Sequence, residues 1–393
     1  MDDPVVIVGS ARTPMGGFLG ELKSLSAPAL GAAAIGAAVE RSGIRPEDVQ
    51  EVVMGNVLPA GVGQAPARQA ALGAGLPPAA GCTTVNKVCG SGMKAAMMAH
   101  DMLVLEINQV MVAGGMESMR NAPHLLLQAR SGLRLGHGEL KDHMFLDGLE
   151  DAYDRGRLMG TYAEECAGHY RFSREAQDRY AITSLRRAQE AIKGGHFAGE
   201  IVPVVVQGKT EARIEQDEQP LKANLDKIPQ LKPAFRKDGT VTAANSSSIS
   251  DGAAALVLMR RSQAEKRGAT PIAKIVGYAT HSQEPKWFTT APVGAIRKLF
   301  EKTGWDARST ELFEINEAFA VVAMAAMHDL DLPHEKVNVH GGACALGHPL
   351  GASGARIMVT LLAALERRGL KRGIAALCIG GGEATAIALE RVG

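Results

Sequence analysis

The strongest constraint on how this chain folds is that its second half repeats the order of its first. Lys274-Ile-Val-Gly-Tyr-Ala279 resembles Ile7-Val-Gly-Ser-Ala11, and Leu312-Phe-Glu-Ile-Asn316 takes the place of Val52-Val-Met-Gly-Asn56. Val337-Asn-Val-His-Gly-Gly-Ala-Cys-Ala-Leu-Gly-His348, with Gly351-Ala-Ser-Gly354 opening a helix, parallels Thr84-Val-Asn-Lys-Val-Cys89 and the helix after it. Finally Ala376-Leu-Cys-Ile-Gly-Gly-Gly-Glu383 matches Met111-Val-Ala-Gly-Gly-Met-Glu117. The halves stay nearly in step, with 33 residues from Asn56 to Cys89 and 32 from Asn316 to His348. Four elements repeated in one order point to an internal duplication. Two like halves pack their equivalent strand–helix junctions near one pseudo-twofold axis, which places Cys89 and His348 at a shared cleft.

Within each half, strands and helices alternate, the pattern of an α/β fold. Pro4–Gly9 is a continuous apolar run suited to a sheet covered on both faces. Leu25–Ser42 reads as an Ala-rich helix closed by Gly43 and Pro46. A strand over Val49–Val57, a helix over Ala65–Ala74 and a strand over Gln109–Ala113 follow the same alternation. From Ser118 to about Ser248 the chain is more polar, more charged and richer in Pro, as an inserted excursion would be. That stretch holds a helix over Glu175–Lys193 and an exposed run over Gln207–Leu231, and it ends in Gly239–Gly252, small and polar enough to pack near a ligand. The expected organisation is a first half over 1–118 plus 249–270, a loop domain over 119–248, and a second half over 271–393.

Composition excludes several classes of function. A formal net charge of +1 gives no reason to expect nucleic acid or an anionic membrane as partner. No stretch is continuously apolar over the ~18 residues a membrane span needs, and MDDPVVIVGSARTP has two acids and no basic n-region, unlike a signal peptide. The five cysteines, with no C-x-x-C pair, argue against a disulfide framework or zinc site and for a reducing compartment. The expected location is the cytoplasm. No G-x-G-x-x-G follows a strand, which speaks against dinucleotide binding.

The chemistry gathers in Thr83–His100. Cys89 lies between an apolar run and a Gly-Ser-Gly turn, and Met93–Met98 are good helix formers. A cysteine at such a corner sits beside unpaired backbone N–H groups and the positive end of a helix dipole, which favour thiolate over thiol. A lone cysteine is usually core and a lone histidine usually structural; their equivalent positions in two halves are what those readings explain badly. A Cys–His pair suits nucleophilic catalysis, the imidazole taking the thiol proton as sulfur attacks an acyl carbon. Cys378, in a Gly-rich turn, is placed to act as a further acid or base, and Gly380-Gly381-Gly382 offers N–H groups to an oxyanion.

Taken together, VCGSGMKA around Cys89, NEAF at Asn316–Phe319, GGACALGHPLGASGAR at Gly341–Arg356 and CIGGGEA at Cys378–Ala384 resemble the thiolase family across the whole chain. NKVCGSGMKA and KDHMFLDGLEDAYDRGRLMGTYAEE are similar to its acetoacetyl-CoA thiolase, or acetyl-CoA acetyltransferase, members. The resemblance implies two duplicated βαβαβαββ halves in a five-layer αβαβα core with an inserted loop domain. It implies ping-pong Claisen chemistry between two acetyl-CoA molecules, giving acetoacetyl-CoA and CoA. Cys89 takes the acyl group, His348 accepts its proton, and Cys378 removes the α-proton of the second substrate. Asn316 holds a water that binds the enolate oxygen with His348, and the N–H groups of Cys89 and Gly380 bind the tetrahedral oxyanion. In the loop domain, Ser247 meets the pantetheine arm and Lys222 the nucleotide, while Phe288 and Phe319 wall the acyl pocket. Coenzyme A thioesters are then substrates, with no cofactor and no metal, and the polar Ala122–His143 stretch resembles a tetramerisation loop of a homotetramer. Leu158 stands where many relatives carry His, Cys344 where many carry Ile, and Pro285–Pro292 lacks the Phe-Pro step of potassium-activated relatives, so no ion is expected. A broader 3-ketoacyl-CoA thiolase and a catalytically silent acyl-CoA-binding member are the alternatives.

Overall fold

A computed structural model describes residues 3–207 and 211–392; residues 208–210 of the run Gln207–Leu231 lie outside the described residues. The first half is β1 (Val5–Arg12), α1 (Ala27–Ser42), β2 (Glu51–Gly55), α2 (Pro66–Gly73), β3 (Gly81–Val85), α3 (Ser91–Val104) and β4 (Val110–Ser118). After an excursion carrying α4 (Met159–Tyr170) and α5 (Arg174–Lys193), it is completed by β5 (Ser250–Arg260). The second half is β6 (Ala273–Ser282), α6 (Ala291–Thr303), β7 (Leu312–Ile315), α7 (Ala320–Asp329), α8 (Leu350–Arg367), β8 (Arg372–Ile379) and β9 (Glu383–Arg391). Helix α1 starts at Ala27 because the Ser26 side chain accepts the Ala29 N–H, and it stops where Gly43 turns left-handed at φ 69°.

The main strands lie in the order β7-β8-β9-β6-β1-β5-β4-β2-β3, and the short strand Gly16–Gly17 pairs with β5. The two half-sheets meet at only two residue pairs, Val6 with Lys274 and Ile7 with Ala273. Each half repeats the other's directions: β5 is antiparallel to β1 and β4, as β9 is to β6 and β8, and β2 and β7 are parallel to their neighbours. The register slips between Ile7 and Gly9 in β1 and between Ile275 and Gly277 in β6, so the repeated Ile-Val-Gly carries the same irregularity in both halves.

Side-chain alternation on β1 explains its unbroken apolar run. Val6 and Val8 face a core with Leu30, Ala34 and Met54 under α1 and α2, whereas Val5 and Ile7 face a second core with Met93, Met97, Met358 and Leu361 of α3 and α8. A third core, with Ile296, Leu299, Phe313 and Ile374, fills the space between the second half-sheet and α6 and α7. The result is five layers, αβαβα, with α3 and α8 in the middle.

Those central helices touch backbone to backbone. A Cβ on Gly354 would lie 2.4 Å from the Met93 nitrogen, and one on Gly92 would lie 2.8 Å from the Ala355 nitrogen. Only glycine permits that approach. Cys89 precedes α3 and His348 precedes α8 by the same two residues, so the crossing of the first turns brings both side chains together.

One expected parallel fails. The counterpart of β3 would begin at Val337, but only a single bridge from Phe313 to Val337 forms. Asn338 turns left-handed at φ 48°. Its side chain replaces the missing strand: Oδ1 accepts the Ile315 N–H and Nδ2 donates to the Ile315 carbonyl, both at 2.8 Å. An asparagine amide has the donor and acceptor of a peptide, and it tolerates this backbone region.

Candidate active site

A cleft of about 370 Å³ opens between the halves and the excursion, and Cys89, His348, Cys378 and Gly380 line it together. The first three side chains are at least nine-tenths buried. Ser247, Phe288 and Phe319 also line it. Phe319 meets Phe288 edge-on at 6.4 Å and Phe235 at 6.0 Å, forming an apolar wall, and Leu158 contributes to the same lining. The Ser247 N–H donates to the Ala318 carbonyl at 2.9 Å, which pins its segment against the Asn316–Phe319 loop.

Hydrogen-bond partners fix the state of His348. The Ser353 hydroxyl donates to the Pro349 carbonyl at 2.9 Å, so its oxygen accepts from His348 Nδ1–H at 2.5 Å. The lone pair is thereby on Nε2, which has no hydrogen-bond partner among the described residues. Burial, and then the positive charge of Arg356, push the imidazole down to about 3, so it is neutral at physiological pH. Asn316 is fully buried and is not part of the cleft lining; its Nδ2 lies 3.4 Å from His348 Nδ1 and its Oδ1 lies 3.5 Å from Arg356.

The backbone N–H groups of Gly380 and of Cys89 itself favour the Cys89 thiolate. Burial outweighs them and pushes the thiol up to about 11, with the Glu117 carboxylate adding to the rise. This corrects the expectation that the helix corner favours the thiolate: water exclusion, a tertiary effect, dominates the local dipole. Burial thus pushes the imidazole down and the thiol up, and both shifts favour the neutral thiol and neutral imidazole at rest. The thiolate is then generated as sulfur attacks, its proton passing to the neutral imidazole. Cys378 is held well above the usual thiol range by burial and then by its proximity to Cys89, which makes it a proton donor at rest and a strong base once deprotonated.

Glu117, at the end of β4, ties this arrangement across the halves. It accepts from Asn56 Nδ2 at 2.6 Å, Val57 N–H at 2.9 Å, Leu58 N–H at 3.2 Å and, from the other half, Gly351 N–H at 2.8 Å. Glu117 and Ser353 were both missed in the sequence, although Ser353 lies inside the Gly351–Gly354 motif and Glu117 inside the matched Gly-Gly-Met-Glu run.

Lys222 stands apart from the cleft. Its ammonium pairs with Glu218 one helical turn earlier and approaches Glu21 at 3.8 Å. Lys227 lies beside the cleft. It lines a hollow of about 240 Å³, with Ile228 and Leu231, that shares Ala243 and Ser248 with the cleft wall. Cys344, expected to pack, is half-buried with its N–H donating to Glu317. Among the described residues no helix is long and apolar enough to cross a membrane.

The sequence matches the family model described as "Thiolase, N-terminal domain" over residues 5–262 and that described as "Thiolase, C-terminal domain" over residues 269–391. It is 54% identical over 391 residues to acetyl-CoA acetyltransferase 2 of Arabidopsis thaliana, covering 98% of this chain and 96% of that protein. The cytosolic acetyl-CoA acetyltransferase of Mus musculus is 47% identical over 395 residues, covering 99% of this chain and 98% of its own. Among solved structures, the Bacillus anthracis acetyl-CoA acetyltransferase superposes with a TM-score of 0.96 at 42% identity, covering 99% of each chain. Acat5 thiolase from Ascaris suum, solved in complex with coenzyme A, gives 0.93 at 43% identity over 99% of this chain and 100% of that one. With both family models together spanning almost its full length, this chain belongs to the thiolase family.

Proposed function

We propose that the chain is an acetyl-CoA C-acetyltransferase that condenses two acetyl-CoA molecules to acetoacetyl-CoA and CoA, and runs the reverse thiolysis. The observation that carries this reading is the meeting of two thiols and one neutral imidazole in a single apolar cleft. Relatives named acetyl-CoA acetyltransferase at about half identity over the full chain support the choice of substrate.

In the first half-reaction, Cys89 Sγ bonds to the acetyl carbon while its proton passes to His348 Nε2. The tetrahedral oxyanion is held by the N–H groups of Cys89 and Gly380, and one such donor is commonly worth ~3 kcal/mol. Collapse breaks the carbon–sulfur bond to CoA, and Cys378 gives its proton to the departing thiolate. That leaves Cys378 as the base for the second acetyl-CoA. It takes the α-proton, and the enolate, stabilised by protonated His348 and a water on Asn316, attacks the acyl-Cys89 carbonyl and expels the Cys89 thiolate. The proton returning from His348 to Cys89 closes the cycle with all charges restored.

Ser247 contacts the pantetheine arm, Phe288 and Phe319 bound the acyl group, and the adjoining hollow with Lys227 accepts the nucleotide end of coenzyme A. The protein acts in the cytoplasm as a homotetramer, with no resident cofactor. The deciding assay is CoA-dependent thiolysis of 3-ketoacyl-CoA esters of increasing length by the purified protein. A maximum in kcat/KM at acetoacetyl-CoA is expected, and a preference for C8 or longer would replace this reading with the broader 3-ketoacyl-CoA thiolase.

A further inference from the structure

The nucleophile and one of its oxyanion donors come from different halves of the molecule. Cys89 sits in the turn before α3, and Gly380 in the turn between β8 and β9. No strand pairing joins these turns among the described residues. Two contacts do. The Ile379 side chain covers Gly90, where a Cβ would come within 2.4 Å of it. Lys87 Nζ pairs with Glu383 Oε2 at 2.5 Å.

Each partner of that ion pair is anchored within its own half. The Lys87 N–H donates to Ser91 Oγ at 2.8 Å, and its carbonyl accepts the Gly90 N–H at 3.0 Å, so the lysine backbone encloses Cys89. Glu383 opens β9, and its Oε1 accepts from Ser282 Oγ at 3.0 Å. Between Lys87 and Cys89, Val88 is left-handed at φ 46°. A β-branched residue there costs ~1–3 kcal/mol and persists only when its surroundings hold it. Lys87 and Glu383 are 22% and 34% exposed at their side chains, so the pair adds little to overall stability. Its effect is one of place.

We propose that Lys87 and Glu383 form a positioning strap that holds the Gly380 N–H in register with the Cys89 sulfur across the two halves. The inference rests on the reading of Cys89 as the acyl carrier. Oxyanion donors act only within a few tenths of an ångström of their target, so a slackened strap slows acylation without altering how coenzyme A is held.

The test compares the purified full chain with Lys87→Met, Glu383→Gln and Lys87→Arg in single-turnover acetylation of Cys89 by acetyl-CoA, read by mass spectrometry. Lys87→Met and Glu383→Gln are each expected to lower the maximal acetylation rate about tenfold, with the half-saturating acetyl-CoA concentration within about twofold of wild type. Lys87→Arg is expected to restore the rate to within about threefold, because it keeps the charge and the reach. Iodoacetamide alkylation of Cys89 at pH 8 should slow about threefold in the Met variant, since a donor to the thiolate is lost. Unchanged acetylation in both charge-removing variants, a loss matching only the unfolded fraction by circular dichroism, or an Arg variant no better than Met would overturn the strap. If wild-type protein does not acetylate Cys89, the functional reading fails instead. The alkylation rates then decide the strap, and equal rates in wild type and Lys87→Met refute it.

Discussion

Replacing Ser353 by Ala removes one oxygen from a fully buried site and leaves every catalytic group in place. In the wild type, Ser353 Oγ accepts from His348 Nδ1–H and so keeps the Nε2 lone pair free to take the Cys89 proton. Without it, the remaining polar neighbour of Nδ1 is Asn316 Nδ2 at 3.4 Å, itself a donor. The favoured tautomer then carries its proton on Nε2, where it cannot accept one from a thiol. A hydrogen bond to a group that becomes charged is worth ~1.5–3 kcal/mol, so kcat should fall roughly 10- to 150-fold. KM should stay nearly constant, because Ser353 does not line the cleft. Steady-state thiolysis of acetoacetyl-CoA, with thermal unfolding to confirm an intact fold, measures both. A Ser353→Ala enzyme with kcat within about twofold of wild type would refute the tautomer argument.

The acidity of Cys89 gives a second expectation. With its thiol pushed up to about 11, the thiolate fraction rises tenfold per pH unit through neutrality, so log alkylation rate against pH should climb with unit slope from pH 7 to pH 10. A plateau below pH 8 would mean a preformed thiolate–imidazolium pair. A third concerns Asn338: its replacement by Ala strands the Ile315 N–H and carbonyl, removes a donor to Glu317 at 2.8 Å and leaves alanine at positive φ. Together these should cost about 4 kcal/mol in denaturant unfolding, and a loss under about 1 kcal/mol would show that the backbone re-pairs as a strand.

Much of the architecture can be read from the sequence because the duplication is written in order and spacing, and because unbroken apolar runs such as Val5–Val8 occur where a strand has a core on each face. The meeting of Cys89 and His348 follows from that symmetry. The Asn338 substitution does not, because a side chain standing in for a strand leaves no periodic pattern. The acidity of Cys89 also escapes, since the local corner argues for thiolate while burial, a property of the assembled layers, argues more strongly for thiol. Lys222 is a different case. Its Glu218 partner lies four residues earlier, so that pairing is legible as helical spacing. Ser353 and Glu117 lie in plain motifs, but their roles emerge only when α8 is set against β4 and His348.

The division of labour between the two thiols is tested most directly by Cys378→Ala exposed to acetyl-CoA, with the acetyl group located by peptide mass spectrometry. The account predicts acetyl on the peptide containing Cys89, formed at a rate limited only by the slower departure of unprotonated CoA, and no detectable acetoacetyl-CoA. Acetyl absent from Cys89, or condensation continuing at the wild-type rate, would contradict it.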